Sequence, residues 1–225
     1  MVLLESRIPA PTAEQARAVV LAGLQRMARD GYTGVHEAGA DSQLMAAFES
    51  LDAADTLPVR VYAILSAREA PLCEAWLLKG PLTDPAGLLT VRSVKAYYDG
   101  SLGSRGARLI DDYSDLKGHR GVSGGNYGFD QALVARMMAA GFQVGIHAIG
   151  DAGNRETLDF IESVETTSPA ARQNRNRVEH AQVVNPDDFA RFAALDVIAS
   201  MEPPHAVEDM PWAADRLGPE RVKGA

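Results

Sequence analysis

The sequence predicts an α/β protein built on a parallel sheet, and three observations carry that expectation. Short β-rich runs alternate with helical patterns along the chain, the connections between most of them are short, and no linker or low-complexity segment interrupts the alternation. About six β/α units fit this pattern.

The elements follow in order. Thr12 is placed as a helix N-cap, with Gln15 completing a capping box. Ala16, Val19, Val20, Leu24 and Met27 keep helical spacing, and Gly31 stands where a C-terminal cap belongs. A brief strand over 32–39 is expected to end at His36 and Glu37, followed by a helix over 42–54 and a strand over 59–65. Pro71 cuts the next helical segment, and a strand over 91–98 carries a lysine, Lys95, among apolar residues. After a polar, Gly-rich connection over 99–129, Asp130 caps a helix bearing Leu133, Val134, Met137 and Met138. "FQVGIHAIGD" is a strand ending at His147, and Asp151 opens a helix through Leu158 and Ile161. "NRVEHAQ" is a short strand ending at Glu179 and His180; Asn185-Pro186 marks a helix start, with Pro at the first helical position. "DVIASMEPPHA" is a strand expected to end near His205. Strand starts every 25–50 residues or so suit a (β/α)8 barrel with enlarged loops, a doubly wound open sheet being the alternative. Six strands are two short of a closed barrel.

Composition narrows the function. A net charge of −8, from 22 Lys and Arg against 30 Asp and Glu, argues against nonspecific nucleic-acid or anionic-membrane binding. A single cysteine, Cys73, excludes an internal disulfide framework and fits a reducing compartment. No apolar run approaches the roughly 20 residues of a membrane helix. The N-terminus lacks the basic and apolar regions of a signal peptide, so a cytoplasmic location is expected.

Histidine placement is the strongest chemical signal. His36, His147, His180 and His205 each fall at the C-terminal end of an expected strand, and only His119 does not. In a barrel those ends share the face where active sites form. Imidazoles on successive strand ends are a common way to hold Zn²⁺ or a similar ion. Glu179 and Asp151 stand close enough in sequence to orient such rings, although helix capping is the stronger reading for Asp151. Lys95 has three outcomes: a Schiff-base amine, a carbamate formed with CO₂ that bridges metal ions, or a side chain that snorkels to water.

"VKAYYDGSLGSRGARL", "QVGIHAIGDAGNRETLD", "NRVEHAQVVNPDDFARFAALDVIASMEPPHAVED" and "WAADRLGPER" together resemble the amidohydrolase superfamily, in its amidohydrolase family 3 branch of N-substituted formamide deformylase-like enzymes. The resemblance runs from about Gly31 to the C-terminus. It implies a TIM barrel with one or two divalent metals, commonly zinc, and hydrolysis of carbon–nitrogen bonds in amides or cyclic amides. It implies Lys95 as a carboxylated bridging ligand, and His147 and His180 as ligands. Asp99, Ser101 and Arg105 would shape the substrate side, with His36 and His205 near it; ordinary loop hydrogen bonding is the alternative for the first three.

The sequence departs from the family at several points. It has no His-x-His pair and no Ser-Asp-x-Pro motif, and Gly106 and Glu202 stand where Thr and Gln are expected. The expectation is therefore an incomplete (β/α)8 TIM barrel over 1–225, about strands 2 to 7, without strand 1, strand 8, the catalytic aspartate or the β-sandwich. Met1 is read as an internal or incomplete start, and the chain alone as inactive. A small-molecule amide is the expected partner, and a homodimer is left open. The competing functions are a Schiff-base lyase using Lys95 and a non-catalytic barrel relative.

Overall fold

The computed structural model describes residues 9–224; the readings made on Met1 and on the residues that exclude a signal peptide lie largely outside this range. In chain order the elements are α1 (Ala13–Arg29), β1 (Gly34–Ala40), α2 (Ser42–Ala53), β2 (Arg60–Ser66), α3 (Ala70–Lys79), β3 (Leu82–Thr83) and β4 (Leu89–Tyr97). They continue with α4 (Gln131–Ala139), β5 (Gln143–Ala148), α5 (Asp151–Thr167), β6 (Arg177–His180), α6 (Phe189–Ala194), β7 (Ile198–Ser200), α7 (His205–Glu208) and α8 (Ala213–Arg221). Among the described residues, the parallel strands are hydrogen-bonded in the order β1-β2-β4-β5-β6-β7, and β3 pairs antiparallel with β4.

The chain forms two compact units, one of residues 1–65 with 82–92 and one of 66–81 with 93–225. In the first, Thr12 and Gln15 make the reciprocal capping box that starts α1. Asp41 caps α2 by accepting from the Leu44 N–H, and α2 buries Met45, Phe48 and Leu51. Strand β1 pairs with β2 with His36 opposite Tyr62, and a register shift falls between Ala38 and Ala40. The strand therefore runs past His36 to Ala40 instead of stopping there.

In the second unit Pro71 lies in the first turn of α3, where its missing N–H costs nothing, so it starts this helix and does not cut it. Asp130 caps α4 through the Leu133 N–H. Val94, Ala96, Val144, Ile146 and Val178 of the sheet are buried, as are Leu133, Met137, Leu158 and Ile161 of α4 and α5, the two helices that contact β5. Asn185-Pro186 opens a single 3₁₀ turn, and α6 follows from Phe189. The expected strand into His205 ends earlier, at Ser200: Pro203 and Pro204 donate no ladder hydrogen bonds, and His205 opens the short helix α7.

The long connection after β4 has a core of its own. Leu102, Ala107, Leu109 and Tyr113 cluster with Ile149, Val183, Ala213 and Leu217, so the loop packs on helix α8. The Gly100 N–H donates to the Gly106 carbonyl, and a Cβ on either glycine would sit 3.1 Å from the other's Cα. That close approach accounts for Gly100 and Gly106 in "DGSLGSRG", while a Cβ on Gly103 would lie 3.1 Å from the Trp212 ring. No helix among the described residues is long and apolar enough to cross a membrane.

Candidate metal centre

Strands β4, β5 and β6 bring the candidate residues together by register. Lys95 lies opposite Gly145, Tyr97 opposite His147, and His147 opposite Glu179. Because side chains alternate along a strand, Lys95, Tyr97, His147, Arg177 and Glu179 share one face. Gly145 leaves that face open, since a Cβ there would lie 2.6 Å from Glu179 Oε1.

Lys95 is 6% exposed, and its Nζ lies 5.4 Å from the centre of the Tyr97 ring. Burial depresses its pKa, against the opposing pull of Glu179 and Glu202. His147 is held near neutrality of charge by the same cause. Burial, then His180 and Lys95, push its pKa down to about 3. Its Nε2 is buried and makes no hydrogen bond, lying 3.5 Å from Asp99 Oδ1.

The His180 ring meets the His147 ring edge-on at 4.4 Å. His180 stands opposite Ala148, a register position on the other face of the sheet. Regular alternation ends there: φ is +75° at His180 and +42° at Ala181. Burial, then Lys95, lowers the His180 pKa as well. Its Nδ1 lies 2.7 Å from Glu202 Oε1, yet the pair lacks hydrogen-bond alignment. His205, partly buried, faces the same carboxylate at 3.3 Å.

Asp99 is fully buried at the end of β4, where it accepts the backbone N–H groups of Arg108, Ile149 and Gly150. Burial pushes its carboxyl up to about 7, while those three donors pull the other way. Asp99 thus fastens the loop after β4 to the loop after β5 and stands behind His147. Asp151 is the first residue of α5, with Gly150 as the N-cap, and it accepts the Ile110 N–H. Glu179 is engaged by Arg177, whose Nη2 donates to Glu179 Oε2 at 3.1 Å and to Ser200 Oγ at 2.6 Å.

Other candidates are spent on the loop. Ser101 and Ser104 share a hydroxyl hydrogen bond at 2.8 Å, and Arg105 forks onto Asp115 at 3.1 and 2.8 Å. His119 contacts the Arg105 carbonyl and stacks on Tyr113. His36 belongs to the first unit and stacks on Tyr62 at 4.7 Å. Sequence reasoning passed over Arg68, whose guanidinium lies 4.0 Å over the Tyr97 ring, and gave Glu202 no role. Arg177 was readable, since it stands two residues from Glu179 on the same strand.

Lys95, His147 and His180 fit a divalent metal on this geometry. Two imidazoles, each with a buried nitrogen lacking a hydrogen bond, lie beside an amine whose charge is disfavoured.

Comparison with known proteins places this geometry. The amidohydrolase family's model matches residues 2–225. The chain is 30% identical over 200 residues to the putative amidohydrolase YtcJ of Bacillus subtilis (strain 168), a match covering 87% of this chain and 36% of that protein. It is 40% identical over 141 residues to the protein LONG AFTER FAR-RED 3 of Arabidopsis thaliana, covering 60% of this chain and 23% of the relative. Two solved structures, both uncharacterized metal-dependent hydrolases, superpose with a TM-score of 0.81 at 26% identity. The one from Pyrococcus horikoshii OT3 covers 96% of this chain and is itself covered to 42%; for Pyrococcus furiosus the shares are 97% and 44%. The chain spans less than half the length of each of these proteins. Its fold class is α/β, an incomplete (β/α)8 barrel like the corresponding part of those hydrolases. On the match over 2–225, the chain belongs to the amidohydrolase family, in its third branch.

Proposed function

We propose that this chain carries part of the active centre of a metal-dependent hydrolase that cleaves carbon–nitrogen bonds in non-peptide amides or cyclic amides. The observation that supports this most is the grouping of Lys95, His147 and His180, with His147 Nε2 buried and without a hydrogen bond. Zn²⁺ is the ion these donors suit best, since two imidazoles and a carbamate oxygen are ordinary zinc ligands. When bound, the metal supplies a Lewis acid that lowers the pKa of water and polarises a carbonyl.

The remaining roles fall to the chain's own residues. Burial favours the neutral amine of Lys95, the form that reacts with CO₂. In that reaction an N–C bond forms, one N–H proton passes to solvent, and a carbamate with two oxygens replaces the neutral amine. Asp99 holds the end of β5, and through it His147, by its three backbone hydrogen bonds. Arg177 keeps the Glu179 carboxylate paired beside Lys95, which limits the charge repulsion that the carbamate meets.

These 225 residues contain no His-x-His pair. We therefore expect the chain on its own to hydrolyse amides at close to background rate. A small-molecule substrate and a cytoplasmic setting agree with the acidic surface and the single, buried Cys73.

The test is ¹³C NMR of the protein equilibrated with ¹³C-bicarbonate and Zn²⁺. A carbamate resonance present in the wild type and missing in Lys95→Met is expected. If the two spectra match, Lys95 is not carboxylated. Burial of the Lys95 amine also favours a second reading, a Schiff-base lyase; borohydride trapping of a carbonyl compound on Lys95 would select it.

A further inference from the structure

We infer that Glu202 and His205 form, with His180, a divalent transition-metal site that the family resemblance does not imply. The inference shares His180 with the proposed hydrolase centre but requires neither Lys95 nor His147.

One donor atom from each of the three residues lies within 4.8 Å of the other two. His180 Nδ1 is 2.7 Å from Glu202 Oε1, and His205 Nε2 is 3.3 Å from Glu202 Oε2. Ligands about 2.0–2.2 Å from a tetrahedral metal stand roughly 3.4 Å apart, so small side-chain adjustments close this set around one ion.

Local structure explains how the donors meet. Strand β6 ends at His180 with two consecutive non-glycine residues at positive φ, at +75° and +42°. Such a conformation is uncommon for residues carrying a Cβ, and it recurs at ligand clamps. Across from it, β7 stops at Ser200 and the turn through Pro203 and Pro204 sets Glu202 and His205 three residues apart on one side. The imidazoles of His180 and His205 lie 5.6 Å apart between ring centres.

A simple ion pair accounts for the contacts less well. His180 Nδ1 is buried and, although 2.7 Å from a carboxylate oxygen, makes no aligned hydrogen bond to it. An imidazole nitrogen facing a carboxylate with no proton aligned between them is a pair of donors that a cation satisfies. Two imidazoles with one carboxylate are a donor set used for zinc and non-haem iron, with positions left open for an exogenous ligand. The donors open onto a cavity of about 280 Å³, lined also by Gln182 and Met201, which gives an ion and a small ligand access.

The test is titration of the purified, chelator-treated full chain with Co²⁺, read by its visible d–d absorption, and with Zn²⁺ by calorimetry. An ion whose binding depends on Glu202 and His205 is expected, whether or not Lys95 and His147 hold one of their own. His205→Ala and Glu202→Gln should each weaken binding by more than about 100-fold, beyond the 10–100-fold that loss of an outer-shell partner costs. His205→Ala is the sharper arm: if Glu202 merely oriented His180, removing His205 would change little. Because Glu202→Gln is nearly isosteric at an exposed side chain, it keeps the test valid should His205→Ala fold poorly by circular dichroism. Absence of any ion in the wild type overturns the inference. So does wild-type affinity in both variants; if His147→Ala then loses the ion, the hydrolase centre stands without the second site. Wild-type binding that survives His147→Ala and fails in His205→Ala supports the second site and counts against the first.

Discussion

Asp99 shows how much depends on single buried groups. Its carboxylate receives three backbone N–H donors from two separate loops, so Asp99→Ala leaves all three without partners in a site closed to water. Each unsatisfied donor costs about 1–3 kcal/mol, and a loss of at least about 3 kcal/mol in urea unfolding is expected. Loss below about 1 kcal/mol would show that the loops hold together without it. Gly145 is a second such point. The Cβ of Gly145→Ala would meet Glu179 Oε1 at 2.6 Å, so the carboxylate must leave Arg177, at a cost of about 1–3 kcal/mol measured the same way. Cys73 supplies a prediction of reactivity. It is fully buried, and burial pushes its thiol pKa up to about 11, with Glu74 and Glu69 adding to the shift. Iodoacetamide at pH 8 should leave it unmodified in the native protein and alkylate it in urea, because only the thiolate reacts; rapid native labelling would contradict the burial.

Much of the element pattern is legible in the chain because local chemistry sets helix ends. Thr12-Gln15, Asp41 and Asp130 each cap by hydrogen bonds within three residues, a range that sequence displays directly. Thr12→Ala removes one of these and should cost about 1 kcal/mol of thermal stability. An unchanged melting temperature would mean that α1 is held by packing alone. The strands are legible as apolar runs, yet their ends are less so. β1 continues past His36, and β7 halts before its prolines, since neighbouring strands and bulges decide where pairing stops.

The site is legible in part for the same reason. His147 and His180 announce themselves at strand ends, and Lys95 by its apolar surroundings. What hides is everything that depends on pairing fixed by the fold: Asp99 gathering amides from residues 108, 149 and 150, Arg177 claiming Glu179, and Glu202 reaching His180 from the turn after β7. The Gly-rich run after β4 reads as an active-site loop. Within it, Gly100 and Gly106 also serve their mutual backbone contact, and Leu102 and Leu109 pack with Ala213 and Leu217 of α8.

At the scale of the molecule, the amidohydrolase family supplies the frame, and the ligands proposed for a metal centre lie on β4–β6 of this chain within it. The proposed centre sits on a face where Lys95 and Glu179 are buried and His147 is largely so, which constrains its charge state. A buried ammonium without a metal is a liability to the fold. Lys95→Met should therefore leave the metal-free protein as stable as the wild type, or more stable by about 1–3 kcal/mol, in urea unfolding; a clear loss would mean that Lys95 is held by an ion pair and is not available to CO₂.

The most direct test of the central claim is anomalous diffraction at the zinc edge from crystals grown with Zn²⁺ and bicarbonate. The account requires a peak at ligand distance, about 2.0–2.2 Å, from nitrogens of both His147 and His180, with density for a carbamate on Lys95. A crystal with no zinc between His147 and His180, and with a bare Lys95 amine, would contradict it.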